Sequence, residues 1–288
     1  PLAHTVSAQT PPPPPAPPPP PAPAQPAPAS PEQQERVLHT VTSILPEGHP
    51  RFDTEAPETD TGYIVKKSTQ CPCCKKSFDD WSVLNYKLAV QSTEADMRTI
   101  YRGFDILWYS VRVCPYCNAA ALTSGFPKLS GRETKFMTSC DYEHKVPRFR
   151  GWSDRRKLDE VLEAYYLAII FAEHVSKDFT AEAMLWRRLY WIYGDLGQEE
   201  QRAKALDMTL QKYEEVFQSR HMTASEELQV NITLGDLYAL RGETSKAFAR
   251  FFDAVHSPEK NSNTLLARHA EDMIAKLRSK DPKNTEKA

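Results

Sequence analysis

The chain has 288 residues, a formal charge of −2 and 40% apolar residues, with 5 Trp, 12 Tyr and 12 Phe. That suffices for about two domains with ordinary cores, and the near-neutral charge argues against wholesale binding to nucleic acid or a membrane surface, which both want a concentrated positive field. No run of 18 uncharged apolar residues occurs, so no segment reads as a membrane span.

Residues 1–30 form a Pro/Ala tract that includes PPPPPAPPPPPAPAQPAP. Proline lacks a backbone N–H and fixes φ, so the tract reads as a solvated polyproline II tail, a spacer rather than a ligand for an aromatic groove. The first residue is Pro1 rather than Met, which leaves an upstream signal removed by processing open. A short helix is expected next. Ser30 caps it, Pro31 suits its first position and Gln33 completes a capping box. Val37, Leu38, Val41, Ile44 and Leu45 share one face, and Pro46 and Gly48 stop it. One amphipathic helix cannot bury its stripe alone, so this one is expected to dock on the rest of the chain. Residues 49–61 (HPRFDTEAPETDT) complete the 31–61 segment as an acidic linker.

All six cysteines fall in a segment taken as residues 62–152. Its β-branched and aromatic runs, Trp81–Val90 and Ile106–Val113, read as strands. Residues 60–150 hold 14 Lys/Arg against 9 Asp/Glu, and residues 151–288 hold 20 against 23, so the two halves differ in sign. From about residue 153 to 280 the pattern is helical: Leu158, Val161, Leu162, Tyr165, Tyr166, Ile169 and Ile170 recur at helical spacing, and so do Ala183, Trp186, Leu189, Tyr190 and Tyr193. Residues 281–288 read as a disordered tail.

The strongest signal is Cys71-Pro72-Cys73-Cys74 paired with Cys114-Pro115-Tyr116-Cys117, two C-x-x-C turns each with Pro after the first Cys. A two-residue gap lets one tight turn aim both sulfurs at a single ion, and four thiolates match the closed tetrahedral shell of a structural zinc. The interval of residues 75–113 exceeds that of a compact ribbon and has room for two long strands, so an enlarged β zinc ribbon is expected. A closed shell has no position for substrate, so one zinc should fold the domain rather than catalyse. Other readings stay open. Cys71 and Cys74 can form a redox dithiol, although that motif usually opens a helix. Cys73 can replace a neighbour, although only Cys71 with Cys74 repeats the spacing of Cys114 with Cys117. Cys140 and His144 can form a separate half-site. Lys66, Lys67, Lys75 and Lys76 bracket the first knuckle beside Trp81 and Tyr86, a mixture that can pair phosphates and stack bases. Ten glycines and no catalytic triad or phosphate loop point away from an enzyme.

Leu234-Gly235-Asp236-Leu237-Tyr238, followed by Gly242, Ala247, Phe251 and Ala254, matches one 34-residue tetratricopeptide repeat. Leu189, Tyr193, Leu196 and Gly197 begin a second copy whose Tyr lies 45 residues upstream, so its second helix or the following loop must be longer. Stacked repeats form a groove for peptides or partner helices. The expected fold is therefore α+β, an enlarged β zinc ribbon followed by an α-helical tetratricopeptide-like domain.

CPCCKKSF at 71–78, the 98–109 stretch, VRVCPYCNAAAL at 111–122 and the helical region after Trp152 resemble an uncharacterised bacterial family of zinc-ribbon proteins with a tetratricopeptide-like tail. The resemblance implies Cys71, Cys74, Cys114 and Cys117 as zinc ligands and carries no settled activity. Ribbon knuckles usually place Gly after the second Cys, where the chain turns left-handed. Here Lys75 and Asn118 stand there; Asn tolerates that conformation and Lys loses about 1 kcal/mol in it, so the first knuckle is expected to be the distorted one. The function expected from all of this is a non-catalytic scaffold that binds protein partners through the helical groove. Nucleic-acid binding and thiol redox chemistry are the alternatives. Reduced cysteine–zinc sites make the cytoplasm the expected compartment.

Overall fold

In the computed structural model, which describes residues 40–126, 131–139, 141–219 and 222–279, three hairpins precede a run of helices. β1 (Ile64–Gln70) pairs antiparallel with β2 (Ser77–Val83), from Ile64 opposite Val83 to Gln70 opposite Ser77. β3 (Val90–Thr93) pairs with β4 (Thr99–Tyr101), and β5 (Val111–Val113) with β6 (Ala120–Leu122). These are separate two-stranded sheets, not the two long strands expected between the cysteine pairs. The run 81–90 breaks because Asn85–Lys87 forms a 3-10 turn in which the Asn85 carbonyl accepts from Leu88 N–H. In the run 106–113 only the last three residues are strand. Asp105 caps Leu107 N–H at 2.9 Å, and the resulting 3-10 turn buries Leu107 and Tyr109.

The helices are α1 (Gly131–Ser139), α2 (Tyr142–Lys145), α3 (Leu158–Phe171), α4 (Phe179–Asp195), α5 (Glu199–Ser219), α6 (Ala224–Leu240), α7 (Thr244–Val255) and α8 (Thr264–Ser279). Ten of the 14 residues of α3 are buried, and its polar residues, Asp159, Glu160 and Glu163, are confined to its first half, so most of it lies inside the protein. It packs on β5, β6 and α4 and joins the hairpins to the helices in one core that runs from Phe78, Val113 and Leu122 through Leu162 and Tyr165 to Leu189 and Tyr193. A second core lies under α5–α8. Among the described residues no helix is long and apolar enough to cross a membrane.

The helices after α3 pack as pairs, α4 with α5 and α6 with α7. The first helix of each pair ends alike. Gln198 N–H reaches Tyr193 O (2.9 Å) and Glu243 N–H reaches Tyr238 O (2.8 Å), each closing a turn over a glycine, Gly197 or Gly242, at φ +64 or +76. The 45-residue interval is explained by α5, which has 21 residues where α7 has 12. Within the second pair Ala247, Phe251 and Ala254 are fully buried. A Cβ on Gly235 would meet the Phe251 ring at 2.6 Å, so only hydrogen fits there. Gly235→Ala gains about 1 kcal/mol of helix propensity but overpacks a filled contact at about 1–3 kcal/mol. We expect a net loss of up to about 2 kcal/mol in a denaturant melt.

The segment before β1 differs from its sequence reading. Residues 30–39 of the expected helix, like the 1–29 tract and the 281–288 tail, lie outside the described residues. Residues 40–45 are not helical: Val41 N–H donates to Lys145 O (2.8 Å) rather than back along its own chain, while Ile44 and Leu45 enter the main core. Residues 49–58 of the acidic linker form a docked strap. Ala56 N–H donates to Arg156 O and Leu158 N–H to Thr54 O (2.8 Å each), the Arg155 guanidinium donates to Ala56 O, and Phe52 N–H donates to Asp159.

His49 latches this strap. Its Nδ1–H donates to Pro50 O (2.7 Å), so its Nε2 accepts from the Tyr193 hydroxyl (2.7 Å), which lies 3.0 Å from that of Tyr166. Burial holds the His49 pKa below its usual 6.5. The folded state therefore binds this proton less readily than the unfolded chain, and the latch's contribution, complete above about pH 6.5, declines as pH falls below it. Wild type should lose melting temperature between pH 7.5 and 5.5 relative to His49→Gln. Parallel pH profiles for the two would refute the latch.

Candidate metal centre

The two C-x-x-C turns are the tips of the β1–β2 and β5–β6 hairpins, and their backbone hydrogen bonds repeat one for one. Cys71 N–H donates to Lys76 O (2.9 Å) and Lys75 N–H to Cys71 O (3.0 Å). Cys114 N–H donates to Ala119 O (2.9 Å) and Asn118 N–H to Cys114 O (3.0 Å). Lys75 and Asn118 both turn left-handed, at φ +62 and +57. The expected distortion of the first knuckle is thus not seen. Lys75 Nζ offsets its backbone strain by donating to Pro72 O at 2.6 Å, which ties the side chain over its own turn.

The turns face each other. Cys71 Sγ lies 3.6 Å from Cys117 Sγ, Cys74 Sγ lies 3.7 Å from Cys114 Sγ, and all four sulfurs fall within 4.8 Å of one another. Cys71 and Cys114 are wholly buried, whereas Cys74 and Cys117 are partly so. Hydrogen bonds from Cys114, Cys117 and Cys73 pull the Cys71 thiol far down, and those of Cys114 and Cys71, with burial, push Cys117 far up. Such a group settles its protons by sharing them, and a divalent cation that replaces them satisfies all four sulfurs at once. Four cysteines placed this way can hold one metal ion.

Surrounding residues fix the turns. Asn118 is buried, donates through Nδ2 to Pro147 O (3.1 Å) and accepts from Phe149 N–H (3.2 Å), pinning the second knuckle to the 147–149 segment. Thr134 on α1 donates to Pro72 O, and Arg148 donates to Tyr116 O (3.1 Å). Sequence reading found the sulfurs but not these supports, because α1 and the 147–149 segment carry no ligand-like pattern. The tolerance of Asn for left-handed turns was the one clue.

The other candidates are placed as follows. Cys73 lies outside the four-sulfur group, with its N–H toward Cys71 Sγ (3.4 Å) and its thiol pushed up by Cys71 and by burial. Cys140 lies outside the described residues, and His144 is exposed and bonded to Asp141 (2.6 Å). The five described cysteines form no disulfide. Lys66, Lys67, Lys75 and Lys76 are exposed, but Lys66 covers the Trp81 ring at 5.0 Å and Lys76 covers Tyr116 at 5.0 Å. Tyr86 is free on the surface at 81% exposure.

A family model described as "Uncharacterized protein conserved in bacteria (DUF2225)" matches residues 64–279, from the first strand to the last helix. An uncharacterized protein of Borreliella burgdorferi (strain B31) is 27% identical over 154 residues, which are 48% of this chain and 55% of that protein. The chain thus spans about half the length of the curated relative it matches. No solved structure matches it significantly.

Proposed function

The chain belongs to this family of uncharacterised proteins conserved in bacteria, and from that premise we propose that it is a non-catalytic adaptor, in which one zinc ion fixes an enlarged zinc ribbon and a tetratricopeptide-like helical region offers a groove to protein partners. The sulfur geometry carries the zinc half. A tetrahedral ion with Zn–S bonds of about 2.3 Å has S···S edges of about 3.8 Å; the cross-knuckle separations are 3.6 and 3.7 Å. Cys71, Cys74, Cys114 and Cys117 would hold the ion, which supplies cross-linking rather than chemistry because four thiolates leave no open position. Hairpin tips rather than a helix N-terminus bear the motifs, which favours a structural site over a redox dithiol.

The helical half rests on the like ends of α4 and α6 and on the Gly235–Phe251 approach, the small-against-aromatic contact of a tetratricopeptide repeat. Nucleic-acid binding is the weaker reading, since Lys66 covers Trp81 and, of the two aromatics that reading relies on, only Tyr86 is left free to stack. Metal content and thiol count test the first half: about one zinc per chain with two thiols, Cys73 and Cys140, left outside the metal supports it, and thiols lost in pairs without metal refutes it. For the second half, protein captured from a lysate by the intact chain should stay bound as salt rises. Capture of nucleic acid that falls steeply with salt would replace the adaptor with the weaker reading.

A further inference from the structure

A cavity of about 870 Å³, within the range of small-ligand sites, lies where residues 54–60, the 97–110 segment and α4 meet. Four carboxylates line it: Glu55, Asp60, Asp105 and Asp195. Asp60 is 2% exposed; the Tyr109 hydroxyl donates to its Oδ2 (3.0 Å), and its Oδ1 has no hydrogen-bond partner. Asp105 accepts from Leu107 N–H (2.9 Å). Glu55 and Asp195 are already paired, and Arg98 itself lines the cavity, where its charge favours ionised Asp105. Arg98 makes a two-pronged pair with Asp195 at 2.8 and 2.5 Å, and Arg155 pairs with Glu55 at 3.2 Å. Burial still raises the pKa of both Asp60 and Asp105. Tyr101, Phe104 and Trp108 supply aromatic walls.

We propose that this cavity binds an organic cation, an alkylammonium or guanidinium group, with its charge against the part-exposed Asp105, in the field of the sealed Asp60 behind it, and its stem along Tyr101, Phe104 and Trp108. A cation there relieves the desolvation of two carboxylates and gains ring contacts that a hydrated inorganic ion does not. A metal fits poorly: among the described residues only the four cysteines group closely enough to hold one. Arg188 lines the cavity from α4, where it donates to Met184 O (3.1 Å), and its charge keeps the bound cation on the acidic side. The inference does not depend on the adaptor reading.

Titration calorimetry on the full chain tests it with two probes, agmatine and N-acetyl-Gly-Arg-Gly-amide, and with the Gln-containing peptide as neutral control. Saturable binding of either cation at one site per chain is expected, with none for the Gln peptide. Asp105→Asn should weaken it at least tenfold, since Asn still accepts from Leu107 N–H and keeps the turn. Glu58→Gln, at an exposed acid of the turn that holds Asp60, should leave it unchanged. Agmatine alone binding identifies a free amine as the occupant, and the peptide binding equally well identifies a partner's side chain. Binding of neither cation, or equal affinity in Asp105→Asn, overturns the proposal.

Discussion

Cys114→Ser should abolish metal binding and lower stability by several kcal/mol, while Cys73→Ser should leave metal content at the wild-type level. Cys114 is wholly buried and its sulfur is 3.7 Å from that of Cys74. Serine offers a poor ligand, and its hydroxyl would sit beside three thiols with no ion to compensate them. Structural zinc contributes about 10–16 kcal/mol of apparent binding energy in peptides that fold around it. The loss here should be smaller, because the apolar core that the hairpins share with α3 and α4 remains, and the second core under α5–α8 holds none of the sulfurs. About 3–5 kcal/mol is the expected scale, concentrated in residues 64–83 and 111–122. Elemental analysis gives the metal count, and hydrogen exchange locates the loosened hairpins. Full metal in Cys114→Ser, or an unchanged melt after chelation of the wild type, would refute the four-sulfur centre.

The sulfur set was readable because C-x-x-C spacing encodes its own local geometry. Each motif fixes two ligands within one turn, and the repeated Pro marks the two turns as equivalent. The helices after Leu158 were readable for a similar reason: their apolar spacing is local and no proline interrupts it before Pro258. What the sequence concealed was long-range. Ile106–Tyr109 has β-branched and aromatic composition, yet a single Asp105 cap turns it into a 3-10 segment. Residues 49–58 look like an acidic linker, yet their backbone groups pair with Arg156 and Leu158 about a hundred residues away. Composition reports what a residue prefers, and such segments are decided by partners that no local window contains.

The most consequential of these distant partnerships is that of Asp80. Its side chain is 1% exposed and lies between two guanidiniums: Oδ1 accepts from Arg156 Nη2 and Oδ2 from Arg112 Nε, both at 2.9 Å. Arg156, equally buried, also donates to Trp108 O (2.7 Å) and lies 3.7 Å over the Trp152 ring. Burial lowers the Arg156 pKa and the charge of Asp80 opposes that shift. Asp80→Asn would leave two buried cations facing an uncharged amide, and removing one partner of such a group costs about 3–5 kcal/mol. Asp79→Asn, one residue away and exposed, should change stability by less than about 0.5 kcal/mol. A melt of Asp80→Asn within a degree of wild type would mean that the pair is internally compensated. Geometry adds a second expectation. Asp80 is on β2 and Arg112 on β5, the strands next to the two knuckles, so this ion pair and the metal centre hold the same two hairpins together. Once Cys114→Ser has released the hairpin tips, Asp80→Asn should cost less than it does in the wild type. A double-mutant cycle on Asp80 and Cys114 should therefore give a coupling energy well above the 0.3–0.5 kcal/mol scatter of independent sites.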